Sequence, residues 1–364
     1  MSLKSLFSAK DMTLGSPWKR IMEFSVPMLL GNIAQQLYNT ADSVIVGIYV
    51  GDNALAAVGS AAPILNLLLA LFVGISTGAG IVVSQCFGAK DREGLSRGIG
   101  NCISLTFLAT IVIMIVGPII TRPMLNLLDT PDSIIDWCTS YLNIYFLGII
   151  GFFFYNMLSG ILRGLGDSVS ALGFLLLAAA LNVVLDLVFV AKFGMGVPGV
   201  ALATVLAQGI SAVFCFVKLM KMSQHFDMNK SSLKLRKEVA MRIIGIGIPS
   251  GITQAIMSMS MMIVQSLTNS MGEMVIAANV IIMRVDGFAM MPNFSFGQAM
   301  SVFTGQNVGA GKWDRVQKGV RQGTGIAQAF ASRSVRVSAS PPDPVCLPPG
   351  PVPARSDSAQ CHTW

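Results

Sequence analysis

Charged side chains are scarce in this chain. Only 12% of its 364 residues are charged, whereas 53% are hydrophobic and the mean hydropathy is +0.66. Ordinary soluble domains carry roughly 25% charged residues. Because so little polar surface is left to face water, the composition excludes a soluble globular protein. It predicts that lipid surrounds most of the chain.

Residues and motifs that commonly carry catalysis are also few. The chain has two histidines, six cysteines without the spacing of a metal site, and no HExxH or Walker A sequence. We therefore predict that the protein is not an enzyme and uses no cofactor, and that any transport draws on an ion gradient. The net charge of +7 is spread between apolar segments and is not gathered on one aromatic-rich face, which argues against nucleic-acid binding.

Long apolar runs, in contrast, are abundant. A bilayer core about 30 Å thick is crossed by about 20 apolar residues, which must form a helix because lipid offers no hydrogen bonds to the backbone. The sequence therefore predicts an all-α, polytopic membrane helix bundle with about eight transmembrane helices. The predicted spans are 23–47, 54–84, 98–121, 138–160, 171–191, 197–220, 243–268 and 274–303.

The basic residues alternate from one loop to the next. Of the basic residues, one set of loops holds only Arg122 and Lys192. No removable signal peptide is recognisable at the start of the sequence. Lys and Arg favour the cytoplasmic side, so both termini are predicted to be cytoplasmic. The basic set comprises the N-terminus, 90–97, Arg163, 218–242 and 312–321.

An internal repeat divides the chain. The segment 85–89 (QCFGA) matches 306–310 (QNVGA) at an offset of 221, and Pro27 matches Pro249 at an offset of 222. Six predicted spans lie between equivalent points, so both repeats enter the membrane in the same direction. Both prolines remove helix hydrogen bonds, which makes them hinge candidates.

The repeat predicts the domain organisation. It comprises an N-terminal six-helix lobe at 1–222, a cytoplasmic linker at 223–242, a partial C-terminal lobe with two helices at 243–328, and a tail at 329–364. The tail holds seven of the sixteen prolines and has no apolar period. We expect it to be disordered, and its abrupt change of composition is typical of an out-of-frame ending.

Two carboxylates interrupt the apolar spans of the first lobe. Tyr38 and Asp42 are four residues apart on one helix face, as are Asn182 and Asp186, and Thr204 lies on the following span. Buried charges in membrane helices are costly, so they usually mark a functional site. Carboxylate, amide and hydroxyl oxygens suit Na⁺ or a proton. Interhelical hydrogen bonds that hold the bundle together are the alternative.

Other polar and soft side chains are candidates for a substrate cleft. Gln35 and Asn39 share the polar face of the first span, and Gln208 follows Thr204 by one turn. Met257 and Met261 form a flexible apolar surface, which also fits simple gap filling between helices.

These patterns resemble the multidrug and toxic compound extrusion (MATE) transporters over roughly residues 15–327. The resemblance rests on the strings VSQCFGAKDREG, FTGQNVGAGKWDRV and YNTADSVIVG, and on the spacing Asn182-x3-Asp186-x17-Thr204. It implies an antiporter of the bacterial cytoplasmic (inner) membrane, in which inward Na⁺ or H⁺ flow exports small cationic or amphipathic molecules between two six-helix lobes. It also implies a cation site at Asp42, Asn182 and Asp186 with Thr204 and Tyr38, and bending at Pro27.

The rival functions differ in what they require. A lipid or polysaccharide flippase of similar architecture is expected to have a basic central cavity, and the spans show no cluster of Arg or Lys. A passive channel needs polar rings on several helices. The family's helices nine to twelve are missing, so we predict a truncated chain that does not export by itself. The lipid bilayer is the expected partner, and no obligate protein partner is evident.

Overall fold

The computed structural model describes residues 10–127, 130–229, 231–269, 271 and 273–339, and all regular structure in these residues is helical. Ten helices follow one another, and α6 continues as a wider π-helical turn over Leu187–Lys192. They are α1 Pro17–Tyr49, α2 Asp52–Gly88, α3 Arg92–Leu127, α4 Asp132–Leu147, α5 Ile149–Gly164, α6 Ser168–Asp186, α7 Gly196–Lys221, α8 Lys237–Asn269, α9 Glu273–Gly309 and α10 Trp313–Ala339.

The predicted all-α bundle is confirmed, and every predicted span lies within these helices. Five helices are long and apolar enough to cross a membrane, and the bent pair α4–α5 makes a sixth if it is one span. The remaining two predicted spans fall in α1 and α9. In α1 the polar residues Gln35, Gln36, Asn39 and Asp42 interrupt the apolar run.

The span predicted at 138–160 is two helices that meet at an angle of 53°. Gly148 separates them, and a side chain there would collide with Val205 of α7. Glycine thus lets α7 pack directly against the bend. The first repeat closes around an apolar core, in which Phe72 and Phe153 stack with their ring centroids 3.6 Å apart.

The prediction for the tail is wrong over residues 329–339, which continue α10. Residues 326–340 contain no glycine or proline, so nothing in this stretch interrupts the helix. The rest of the predicted tail, 340–364, lies outside the described residues.

The two repeats cross where α2 and α9 end, and the contact is reciprocal. A Cβ on Gly88 would overlap the carbonyl oxygen of Gln306, and a Cβ on Gly309 would overlap the carbonyl oxygen of Gln85. These are equivalent positions of the repeat. Small residues allow such backbone contact between membrane helices. The same pair of glycines therefore joins the repeats at the end predicted to be cytoplasmic. The domain boundaries at 222 and 242 stay predictions.

The N-terminal segment is tied to α9 and α10 at this same end. The Met12 amide donates to Gln306 Oε1 at 2.8 Å, and Lys312 Nζ donates to the Thr13 carbonyl at 2.9 Å. Arg315 donates to the carbonyl oxygens of Met12 and Leu14 at 3.0 and 3.1 Å. Part of the chain before α1 thus packs on the second repeat.

The linker between α7 and α8 docks on the start of α3. Arg92 donates to both carboxylate oxygens of Asp227 at 2.7 Å, and these hydrogen bonds hold the pKa of the Asp227 carboxyl below its ordinary value. The Arg236 amide donates to Asn101 Oδ1 at 2.8 Å, and Ser104 Oγ donates to the Leu233 carbonyl at 2.6 Å.

Replacing Gly88 with alanine should destabilise the junction between the repeats. The added methyl group meets the backbone of α9, and overpacking of this kind costs about 1–3 kcal/mol. Gly98→Ala in α3 is the matched control, since open space surrounds that position and alanine favours a helix by up to about 1 kcal/mol. Unfolding by SDS in mixed micelles compares the two. Equal stability of both variants would contradict the contact.

Candidate functional site

Asp42 of α1 and Asp186, the last residue of α6, face each other. Their carboxyl groups are close enough to interact directly. The Oδ1 atom of each is buried without a hydrogen-bond partner among the described residues. Two carboxyl groups this close cannot both carry an uncompensated negative charge, so they hold either a proton or a cation between them.

Asn182 and Thr204 complete the surroundings of Asp186. With its amide oriented to satisfy both ends, Asn182 donates to Asp186 Oδ2 at 3.0 Å and accepts from Thr204 Oγ1 at 3.2 Å and from the Thr204 amide at 3.3 Å. Asn182 and Asp186 share one face of α6, one turn apart, and both are fully buried. The amide therefore fixes the orientation of the Asp186 carboxyl group.

Tyr38 joins the same group of residues, because it lies one turn before Asp42 on the same face of α1 and beside Thr204. Tyr38, Asp42, Asn182, Asp186 and Thr204 thus lie together, and we call them the carboxylate cluster. The structure brings together all five residues of the predicted cation site. Whether the cluster binds a cation stays a prediction at this point.

The helix that carries Asp186 changes its winding directly after it. Leu187–Lys192 form a π-helical turn. Such turns are rare and occur often at functional sites. The apolar sequence of this stretch gives no signal for it, so sequence patterns alone could not have located this feature.

A cavity of about 330 Å³ opens beside the carboxylate cluster. Gln35, Asn39 and Gln208, three of the predicted cleft residues, line it, and Gln208 Oε1 is buried without a hydrogen-bond partner among the described residues. From the carboxylate cluster, Tyr38, Asp42 and Thr204 also line the cavity. Asn182 and Asp186 lie behind them, fully buried.

Sequence analysis missed the aromatic wall of this cavity. Tyr141 and Tyr145 of α4 and Phe152 and Tyr155 of α5 line it, together with Asn156. Tyr141 and Tyr145 are four residues apart, the same interval that identified Tyr38 and Asp42. This tyrosine pair was the signal that the span at 138–160 offered.

The remaining predicted residues lie elsewhere. Met257 and Met261 of α8 are 48% and 57% exposed and are not among the lining residues of this cavity, so their place in a substrate cleft stays a prediction. Pro27 and Pro249 lie inside α1 and α8. Pro27 precedes Asp42 on the same helix, and the role of both prolines as hinges stays a prediction.

The donor set of the carboxylate cluster fits an alkali cation or a proton. It offers carboxylate, amide, hydroxyl and phenol oxygens, including the unpaired Oδ1 atoms of Asp42 and Asp186. Hard cations prefer oxygen ligands. Among the described residues there is no group of three or more His, Cys, Asp or Glu that could hold a metal ion. The cluster therefore lacks the soft donors that transition metals prefer.

Comparison with known proteins agrees with this architecture. A family model described as MatE matches residues 27–188 and 249–332, which lie in the two repeats. The chain belongs to the MatE family. This multidrug efflux family consists of membrane transporters, so the protein is an integral membrane protein with a transport function.

Two relatives from Bacillus subtilis illustrate the match. The probable multidrug resistance protein YoeA is 31% identical over 315 residues, covering 85% of this chain and 68% of its own length. The probable multidrug resistance protein YpnP is 33% identical over 309 residues, covering 85% and 69%. The chain thus spans about two thirds of the length of these MatE relatives.

Solved MATE structures share the fold. A MATE protein in the bent conformation has a TM-score of 0.84 at 27% identity, covering 90% of this chain and 74% of that one. A multidrug resistance MATE transporter in an outward-facing conformation has a TM-score of 0.77 at 28% identity, covering 91% and 74%.

Proposed function

We propose that this MatE protein contributes to secondary active multidrug efflux, in which the Asp42–Asp186 pair binds the coupling cation, Na⁺ or H⁺. The observation that carries the proposal is the pair of facing carboxyl groups next to a cavity lined by aromatic and amide side chains. Two membrane-buried acids persist only with a partner, and a bound cation is such a partner. The names of the relatives, multidrug resistance and multidrug export proteins, support the substrate class.

The cavity chemistry fits small cationic or amphipathic substrates. Tyr141, Tyr145 and Phe152 offer ring faces that attract organic cations, and Asp42 supplies negative charge. A substrate cation and the coupling cation then compete for the same negative charge. Because of that competition, the substrate and the coupling cation each bind one state of the Asp42–Asp186 pair more tightly than the other. Antiport requires this difference in affinity.

For cation binding at the Asp42–Asp186 pair to drive movement, the helix bundle must have two states. The reciprocal contact of Gly88 and Gly309 closes the end at which α2 and α9 terminate, predicted to be the cytoplasmic side of the bacterial inner membrane. In the proposed cycle this contact separates when the cation leaves. Rocking of two repeats around a central site is the movement known for parallel-repeat transporters.

The test uses an extended chain, in which residues 1–328 are followed by the corresponding C-terminal part of YoeA. In inverted membrane vesicles, uptake of a fluorescent organic cation should require an imposed Na⁺ or H⁺ gradient and stop when that gradient is collapsed. Separate collapse by a sodium ionophore and by a protonophore identifies the coupling ion. Gradient-independent flux of many small solutes would instead indicate a passive channel.

A further inference from the structure

A second cavity, of about 570 Å³, lies between the two repeats, a size suited to a drug-sized ligand. It is bordered by α1, α2 and α5 of the first repeat and by α8 and α9 of the second. Its polar lining is otherwise neutral. Among its described lining residues, Arg163 is the only charged one, and no Asp or Glu accompanies it.

Arg163 has no counter-charge within the part of the chain that the structure describes. Its guanidinium makes no hydrogen bond and no ion pair there, and the titratable groups that act on it are the Tyr155 phenol and the Cys215 thiol. The nearest carboxylate in the sequence, Asp167, is engaged by Ser170 at 2.7 Å and by Lys218 at 3.3 Å. Holding a guanidinium away from bulk water without an anion costs free energy. An anionic partner at this site would therefore be stabilising.

Three other arginines have side-chain partners in the structure. Arg92 binds Asp227 at 2.7 Å, Arg122 binds Asp136 at 3.4 Å, and Arg242 donates to Gln85 Oε1 at 2.5 Å. Arg163 therefore differs from these three in its surroundings. Sequence analysis treated it as one of the basic residues that orient the chain, because an unpaired arginine cannot be recognised without the contacts.

We propose that Arg163 is the binding subsite for the acidic group of an amphipathic ligand, a carboxylate, sulfonate or phosphate, in this inter-repeat cavity. The planar guanidinium binds such groups with two parallel hydrogen bonds. The proposal rests on the proposed export function and narrows its substrate class.

The neighbouring cavity explains which amphipathic ligands fit best. Asn156 lines both cavities, so the inter-repeat cavity adjoins the one that contains Asp42. A ligand with both an amine and an acid group meets a complementary charge at each end. Zwitterionic amphipaths are therefore the preferred ligands, and a purely cationic compound uses only the Asp42 side.

The test is a matched pair of ligands. A fluorescent fluoroquinolone, which has an amine and a carboxylate, and its methyl ester are titrated separately into residues 1–364 in nanodiscs of neutral lipid. The acid should bind about tenfold more tightly than the ester, the difference expected for hydrogen bonds to a charged group. In Arg163→Gln the two ligands should bind equally, because binding of the acid weakens and binding of the ester does not change.

Two further variants separate this effect from misfolding. Arg163→Lys keeps the charge but loses the planar donors that form two parallel hydrogen bonds, so it should retain part of the preference for the acid. Arg122→Gln removes an arginine that is ion-paired with Asp136 and should behave like the unmodified chain. A preference for the acid that persists in Arg163→Gln overturns the subsite.

The remaining outcomes separate the two proposals. Equal binding of acid and ester by the unmodified chain overturns the Arg163 subsite and leaves the multidrug proposal standing, whereas binding of neither compound counts against both. Phosphatidylglycerol that displaces the acid, while phosphatidylcholine does not, supports the subsite and identifies a lipid headgroup as its natural anion.

Discussion

Replacing Asp42 with asparagine in the extended chain should reduce gradient-driven export to the level of an empty vector. Asparagine keeps the size and the hydrogen bonds of the side chain but can neither compensate a cation nor release a proton. The two carboxyl groups interact directly, so they bind and release a proton or cation as one unit. Asp186→Asn should therefore have the same effect, and the double variant should be no worse than either.

Asp136→Asn is the matched control for this series. Asp136 is an acid at the start of α4, paired with Arg122 at 3.4 Å and exposed, so its loss should leave export unchanged. Export and membrane expression are measured together, so that loss of protein is not taken for loss of coupling. Export that survives in both Asp42→Asn and Asp186→Asn would contradict the role of the pair.

Residues 1–364 expressed alone should not export. Alternating access by rocking needs two comparable halves. The first repeat supplies α1–α7, whereas the second supplies α8, α9 and α10 within these residues. Efflux of an amphipathic dye from cells that express only residues 1–364 measures this directly. Gradient-dependent efflux above the empty vector, without a complementing fragment, would show that α8–α10 suffice as the moving partner.

The helices and the carboxylate cluster were predictable because both leave local signals. Apolar runs of about 20 residues specify spans in lipid, and an interval of four residues places Tyr38 with Asp42 and Asn182 with Asp186 on one face. That α1, α6 and α7 meet at this point was inferred from the cost of isolated buried acids. The family resemblance supported the same set.

The misses share a different cause, since each depends on contacts between distant segments or on local winding. The bend at Gly148 depends on Val205, and the unpaired state of Arg163 depends on Asp167 being engaged by Lys218. Neither of these follows from spacing along the chain.

The most direct test of the account is infrared difference spectroscopy on residues 1–364 in nanodiscs during steps of Na⁺ concentration and of pH. Carboxyl bands report occupancy of the Asp42–Asp186 pair by either ion, even without export. We expect difference bands that vanish in Asp42→Asn and in Asp186→Asn and persist in Asp136→Asn. Bands that are unchanged in both single variants would show that the coupling cation binds elsewhere and contradict the central claim.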